Sequence, residues 1–425
     1  MAGLARRTWF VVHSWLGLTC GLLLFVVCWS GTIAVFSHEI DWLIDERIQA
    51  RSAPDKLRWQ KIEDAVKARY PGWRITEINA PIHDGAAVEV LAEPETDNPH
   101  RVYVDPATAV VIGHTSYLNV QRFFRSFHMA LFDTGRFKFL GVPVGYLTVA
   151  LLSFPLLASA IASLLFYRRW WRGFFSLSLN RGAKSFWSSA HKLVGVWSLW
   201  LIFAIGITGL WYLAEWYIPY DDPPEPAEQQ YNRPPLALDH LVMIAQANYP
   251  GLRVTGMSNW EGEEIVSVDG RDGAFLVRDR AAGVSINRYT GAITDMRRPS
   301  DMGAVDRLME TVDPVHFGNW GGLWSKALYF FFGLGMTGLT LSGAYLQAKR
   351  QQTRFRPGRV RLPVLFAYLA TLAACLFAIL GAWHEIRGYG LAGQFPSVAW
   401  PTLVVIFMWC FSTIGALTIW MLKLR

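Results

Sequence analysis

Charge is scarce in this sequence, and its scarcity excludes most ordinary readings. Only 17% of the 425 residues are Asp, Glu, Lys or Arg, against 52% that are hydrophobic. That balance is too apolar for a soluble globular protein. Cysteine is scarce too. Cys20, Cys28, Cys375 and Cys410 all fall inside apolar runs, so no soluble segment has a disulfide framework or a thiolate metal site. They read as small buried hydrophobes. No C-x-x-C-H is present, which excludes covalent c-type haem. A Walker motif, G-x-S-x-G and H-E-x-x-H are all missing, and with them the usual signatures of nucleotide, acyl-transfer and zinc-protease chemistry. Gly333, Gly335 and Gly338 fit G-x-G-x-x-G by spacing. They lie mid-run with no strand before them, so they read as small residues that let helices approach.

What is present is long apolar runs. About 20 residues at 1.5 Å rise cross a bilayer core, and six runs qualify: 9–37, 141–167, 187–214, 325–347, 362–384 and 398–422. The first reads as a retained helix, since no small-x-small cleavage site follows it before His38. Many of the 20 Trp residues sit near run ends, where an apolar ring with one N–H donor is most stable. The net charge of +7 comes from clusters between the runs. Arg6 and Arg7 precede the first. Arg168, Arg169, Arg172, Arg181 and Lys184 separate the second and third. Lys349, Arg350, Arg354, Arg356, Arg359 and Arg361 separate the fourth and fifth, and Lys423 and Arg425 end the chain. All fall on one side of a six-span topology, which the positive-inside rule makes cytoplasmic. Topology accounts for these charges, so no nucleic-acid partner is expected.

The chain repeats internally. Tyr70-Pro-Gly-Trp-Arg-Ile-Thr returns as Tyr249-Pro-Gly-Leu-Arg-Val-Thr. Each copy follows an amphipathic stretch that reads as a helix stopped by Pro-Gly. Each precedes alternating segments, ending in VYVDPATAVVIG and VSINRYTGAIT, that read as strands and turns. HSWLG at 13–17 matches HKLVG at 191–195, and Gly31 matches Gly209 at the same offset. His128 matches His316 and Lys138 matches Lys326, again at one shared offset. The expected unit is helix, small α+β domain, surface histidine, helix, occurring twice. The last two runs have no counterpart.

These motifs resemble the PepSY-associated transmembrane family over about residues 9–350. The YPGxRxT segments are similar to PepSY domains and the HxxxG spans to the family's membrane helices. The resemblance implies an α-helical integral membrane protein of the bacterial inner membrane, with both termini cytoplasmic and two small α+β PepSY-like domains in the periplasm. The divisions that follow are 1–38 for the first helix, 39–126 for the first soluble domain and 127–167 for a histidine segment with the second helix. A basic loop covers 168–186, the third helix 187–217, and a linker with the second domain 218–312. Residues 313–347 hold the second histidine segment and fourth helix, 348–361 a second basic loop and 362–425 the last two helices. Asp221, Asp222, Pro223 and Pro224 mark the linker.

Four of the ten histidines belong to the repeat: His13, His191, His128 and His316. An ionisable group in a span is costly and marks function, and neutral imidazole is a standard axial ligand of haem iron. Gly17 and Gly195 lie one turn beyond His13 and His191, where small residues let a flat porphyrin rest against the helix. The bland alternative is a satisfied polar residue near a helix end. Symmetry pairs His13 with His191 on the cytoplasmic side and His128 with His316 on the periplasmic side, giving two b-type haems. His38 and His384 lie outside the shared set. His83, His100, His114 and His240 read as surface residues without zinc-like spacing. Arg122 and Arg125 flank His128, where they anchor at headgroups, neutralise propionates or attract an anionic chelate.

The family includes di-haem reductases of ferric siderophores. The resemblance therefore implies electron transfer to a periplasmic ferric siderophore, releasing Fe(II). No flavin or nicotinamide site is visible, so a separate cytoplasmic donor is required. Two rivals stand beside this reading. One is a PepSY-type regulatory or binding protein without a redox centre. The other is a metal-chelate permease, which repeats would suit. Against the permease, the spans are nearly free of acidic residues and lysine, and none reads as broken at its centre.

Overall fold

A computed structural model describes residues 2–52, 56–95, 98–180, 182–218, 231–258, 264–352, 362–390 and 393–424. The Asp221–Pro224 linker and Arg181, Arg354, Arg356, Arg359, Arg361 and Arg425 lie outside those residues. In chain order the helices begin with α1 (Ala2–Thr19), α2 (Gly21–Ala34), α3 (Ser37–Ile44), α4 (Trp59–Arg69) and α5 (Val120–Ala130). Next come α6 (Val144–Leu151), α7 (Ser153–Phe166), α8 (Ala183–Trp197), α9 (Leu199–Glu215) and α10 (Leu238–Asn248). The last are α11 (Ala304–Phe317), α12 (Gly322–Gln352), α13 (Leu362–Arg387) and α14 (Trp400–Leu424). The strands are β1 (Arg74–Asn79), β2 (Val88–Glu93), β3 (His100–Val104), β4 (Val111–Ser116), β5 (Lys138–Phe139) and β6 (Val142–Pro143). Strands β7 (Arg253–Ser258), β8 (Ile265–Arg271), β9 (Ala282–Asn287) and β10 (Ile293–Arg297) complete the set.

Two soluble units read from the sequence share one sheet. Its order is β10-β9-β8-β7-β1-β2-β3-β4, antiparallel throughout. The join is β1 on β7, with Glu77 opposite Ser258 and Asn79 opposite Gly256. Strand β2 alternates, burying Val88, Val90 and Ala92, as a sheet with one covered face requires. The cover is α4 and α10. Trp59, Ile62, Glu63 and Val66 are the buried positions of α4, a helix-period stripe. The helices cap each other. Asp239 accepts from the Trp59 and Gln60 amides at 3.0 and 3.2 Å, and Gln60 accepts from the Leu238 amide at 2.8 Å. The hairpins close on side chains: Asp105 accepts from the Ala107 and Thr108 amides, and Asn287 from those of Tyr289 and Thr290.

The chain is a multi-pass membrane protein. Among the described residues Val144–Phe166, Gly322–Gln347, Leu362–Arg387 and Trp400–Trp420 are each long and apolar enough to cross a bilayer. Two more crossings exist if bent pairs count as one span each, α1 with α2 at 66° and α8 with α9 at 61°. The expectation of unbroken spans is therefore corrected. The breaks fall at Cys20 and Ser198, at the same offset that relates His13 to His191. Next to the first, the Thr19 hydroxyl donates to the Trp15 carbonyl at 2.9 Å, and glycine follows at position 21. Both features loosen a helix ladder.

One end of the bundle gathers the start of α1 and the ends of α7 and α12. Arg6 Nε donates to the Phe166 carbonyl at 2.9 Å, and the Arg350 guanidinium lies 4.8 Å from the Phe10 ring centre. The opposite end carries the sheet. There Lys326 pairs with Glu39 at 2.6 Å, and Asp41 accepts from the Val120 and Gln121 amides, both at 2.8 Å, capping α5. Helices α13 and α14 pack on α5: Phe123, Phe124 and Phe127 share a core with Ala378, Tyr389 and Trp409.

Candidate functional site

The four repeat histidines meet as two pairs. The ring centres of His13 (α1) and His191 (α8) are 6.2 Å apart, and those of His128 (α5) and His316 (α11) are also 6.2 Å apart. A ring centre lies about 1.2 Å from its nitrogen and a metal–imidazole bond is about 2 Å, so two imidazoles on opposite sides of one metal have centres about 6.4 Å apart. The observed spacing matches that of two imidazoles sharing one iron. It is also too long for a direct hydrogen bond between the rings.

Hydrogen bonds fix which nitrogen of each ring is free. His13 Nδ1 donates to the Ser159 carbonyl at 2.9 Å, and His128 Nδ1 to the Val27 carbonyl at 3.0 Å. A carbonyl only accepts, so both rings carry their proton on Nδ1. His316 Nδ1 meets the Thr208 hydroxyl at 2.8 Å, and that hydroxyl already donates to the Ala204 carbonyl at 2.6 Å. His191 Nδ1 meets the Ser342 hydroxyl at 2.9 Å, which donates to the Leu339 carbonyl. These oxygens accept from Nδ1–H in turn. Among the described residues no hydrogen bond engages an Nε2 of these four rings, and with the proton on Nδ1 that nitrogen keeps its lone pair, the form in which imidazole binds a metal.

The surroundings of the first pair leave open space beside the rings. A cleft of about 240 Å³ is lined by His13, Gly17, Gly21, His191, Gly195 and Gly343, among others. A Cβ built on Gly17 would meet nothing within 4 Å, and one on Gly195 only Leu339 at 3.8 Å. These glycines do not serve close helix packing; they leave room. The second pair is held differently. A Cβ on Gly31 would lie 2.5 Å from His128 Cε1, so this glycine admits the imidazole itself. Tyr212 stacks edge-on to His316 at 5.2 Å, and its hydroxyl donates to Asp313 at 2.6 Å. Among the described residues no group of three or more His, Cys, Asp or Glu is placed to hold a bare metal ion.

Other candidates lie elsewhere. His38 and His384 are exposed, and neither stacks on another histidine. Arg122 does not face an open site: its Nε donates to the Tyr389 hydroxyl at 2.7 Å and its Nη2 pairs with the buried Glu385 at 3.1 Å. Its suggested role toward propionates or chelates is corrected, because α13 already satisfies it. Arg125 is exposed. His100 and His114, read as scattered surface residues, are ring neighbours at 5.5 Å beside Tyr70 and Trp73. Strand pairing brings them together, which sequence spacing does not show. The hydroxyl partners were also missed. Ser30, whose side chain lies 3.1 Å from His128 Nδ1, and Thr208 are repeat equivalents, related by the offset that links Gly31 to Gly209. The repeat therefore already pointed to them.

A family described as PepSY-associated TM region matches residues 10–350. An uncharacterised protein of Pseudomonas aeruginosa is 26% identical over 309 residues, covering 66% of this chain and 77% of that protein. The match takes in both histidine pairs, the whole sheet and all but the last two residues of α12, and stops before α13 and α14. With four-fifths of its length inside the match, the chain belongs to the PepSY-associated transmembrane family.

Proposed function

We propose that this chain is a transmembrane reductase that moves electrons from a cytoplasmic donor to a ferric siderophore in the periplasm. The observation that carries the reading is the two histidine pairs, each spaced for one metal and each with its Nε2 nitrogens uncommitted. Two b-type haems, held by His13 with His191 and by His128 with His316, would supply one-electron transfer between the two faces of the membrane. The chain's own part is positioning. Ser159, Val27, Ser342 and Thr208 hold the rings in one tautomer and orientation. Gly17 and Gly195 keep space open at the first pair. The basic clusters support a cytoplasmic side for that pair and a periplasmic side of the inner membrane for the sheet. Hard oxygen donors hold Fe(III) better than Fe(II), so one electron given to the chelate loosens its iron.

The test is colour, then turnover. Purified protein should show a Soret band with reducible α and β bands. Pre-reduced protein should be re-oxidised by a ferric siderophore, with Fe(II) caught by a ferrous chelator. His128→Ala should stop that re-oxidation while the other haem stays reducible. A colourless protein ends the reading. A second reading, a chelate carrier, draws on the bends at Cys20 and Ser198, because broken helices form substrate sites in transporters. It predicts uptake of intact labelled chelate into vesicles by haem-free protein.

A further inference from the structure

A cluster of arginines at the end away from the sheet adjoins the first histidine cleft, with which it shares Tyr167, but none of its four arginines lines that cleft. Arg6, Tyr167, Arg168, Arg169 and Arg172 line a recess of about 570 Å³. Two chain segments build it, the first turns of α1 and the stretch running from the end of α7 into the 3-10 turn Trp170–Gly173. Arg6 is anchored, with Nε on the Phe166 carbonyl at 2.9 Å, which leaves its two terminal nitrogens for another acceptor. Among the described residues none of the four arginines forms an ion pair with a carboxylate. The sequence provides none nearby: no Asp or Glu precedes Glu39, and none occurs between Asp133 and Glu215. Four like charges around one recess repel unless an anion sits among them. Guanidinium groups match phosphate oxygens two at a time.

We propose that Arg6, Arg168, Arg169 and Arg172 form a binding site for a phosphate-bearing anion, either the headgroup of an anionic phospholipid or a free phosphate. Topology alone asks for positive charge on this side of the membrane, and lysines scattered along the loops would meet that need. It does not ask for four arginines from two segments to converge on one recess. Beside them Trp171 is 55% exposed, a side-chain type favoured at the membrane–water interface.

The test uses the full chain, purified and delipidated in neutral detergent. Native mass spectrometry and thermal shift would follow titration with phosphatidylglycerol, phosphatidylcholine and sodium phosphate. Phosphatidylglycerol should bind at least ~10-fold tighter than phosphatidylcholine. Arg6→Gln, Arg168→Gln, Arg169→Gln and Arg172→Gln together should remove that preference. If that variant fails to fold, the pair Arg168→Gln and Arg172→Gln, both exposed, should weaken it. Lysine at all four positions keeps the charge but should bind several-fold more weakly. Arg7→Gln with Lys184→Gln, charged residues outside the recess, should leave binding unchanged. Competition by millimolar phosphate supports the site with a free anion as occupant, and its absence alongside lipid binding supports it with the lipid. If neither ligand binds preferentially, or the control pair loses as much as the four, the site does not exist.

Discussion

Gly17→Leu separates a glycine that makes room for a cofactor from one that makes room for a helix. Gly17 is one turn beyond His13 on α1, and a Cβ there would touch nothing within 4 Å. Four added carbons therefore displace no protein atom near the attachment point. Replacing glycine inside a helix also favours the helix by up to about 1 kcal/mol. The unliganded chain should then be as stable as wild type or more so by up to that amount. The same carbons project into the cleft of about 240 Å³ between His13 and His191. Haem content, read by pyridine haemochrome per mole of chain, should fall from two to one. Gly31→Ala gives the contrast. Its Cβ would come 2.5 Å from His128 Cε1, so the imidazole must move by about 1 Å, and overpacking of this kind costs about 1–3 kcal/mol. That variant should lose stability and the haem at the other pair. If Gly17→Leu keeps both haems with an unchanged spectrum, the cleft is not a cofactor cradle. If it destabilises the chain by more than about 1 kcal/mol, Gly17 is a packing residue after all.

Three further outcomes test the pairs and their support. His13→Ala and His191→Ala should each remove the same haem, and the double variant should lose little beyond either; loss of different haems by optical spectra would refute the pairing. Thr208→Val keeps shape but leaves His316 Nδ1–H without its acceptor, so the second pair should bind haem about 10–100-fold more weakly by titration of the apoprotein, with the first pair unaffected. Burial pushes the Asp41 carboxyl up to about 7, although two backbone amides on α5 oppose this. A raised carboxyl contributes stability that is complete below its ordinary value of 3.8 and is lost as pH rises through about 7. Stability of the full chain against denaturation should fall as pH rises across that window, by at most about 1.4 kcal/mol per unit, and Asp41→Asn should flatten the slope; an unchanged slope in that variant removes Asp41 as the cause.

Much of this was legible because a repeat doubles every signal. One histidine in a helix says little, but His13 and His191 with glycine at the same spacing point to a shared site, and their ring centres do lie 6.2 Å apart. Apolar length located the four helices that are long enough to cross a bilayer, since it follows from transfer free energy alone. The bends at Cys20 and Ser198 were not legible: neither is proline, and they depend on how α1 and α8 pack against α7 and α12. The joined sheet was also hidden. Nothing in the β1 or β7 sequence says that its edge will meet the other rather than solvent, because backbone pairing carries no side-chain code. The His100–His114 contact and the Arg122–Glu385 pair share that cause. Each joins residues that only tertiary structure brings together.

The seam between β1 and β7 also has a mechanical meaning. Each half of the chain hangs from its own portion of one sheet, and at the seam the two portions are linked by backbone hydrogen bonds between Glu77–Asn79 and Gly256–Ser258. Crossed caps between α4 and α10, and Arg288 Nη2 donating to both carboxylate oxygens of Glu63, brace the same joint from the covered face. A carrier that alternates access must rock one half against the other, and here that would tear a continuous sheet at its middle. A chain strapped together in this way resists such rocking, because the joint is made of main-chain pairing and buried charge.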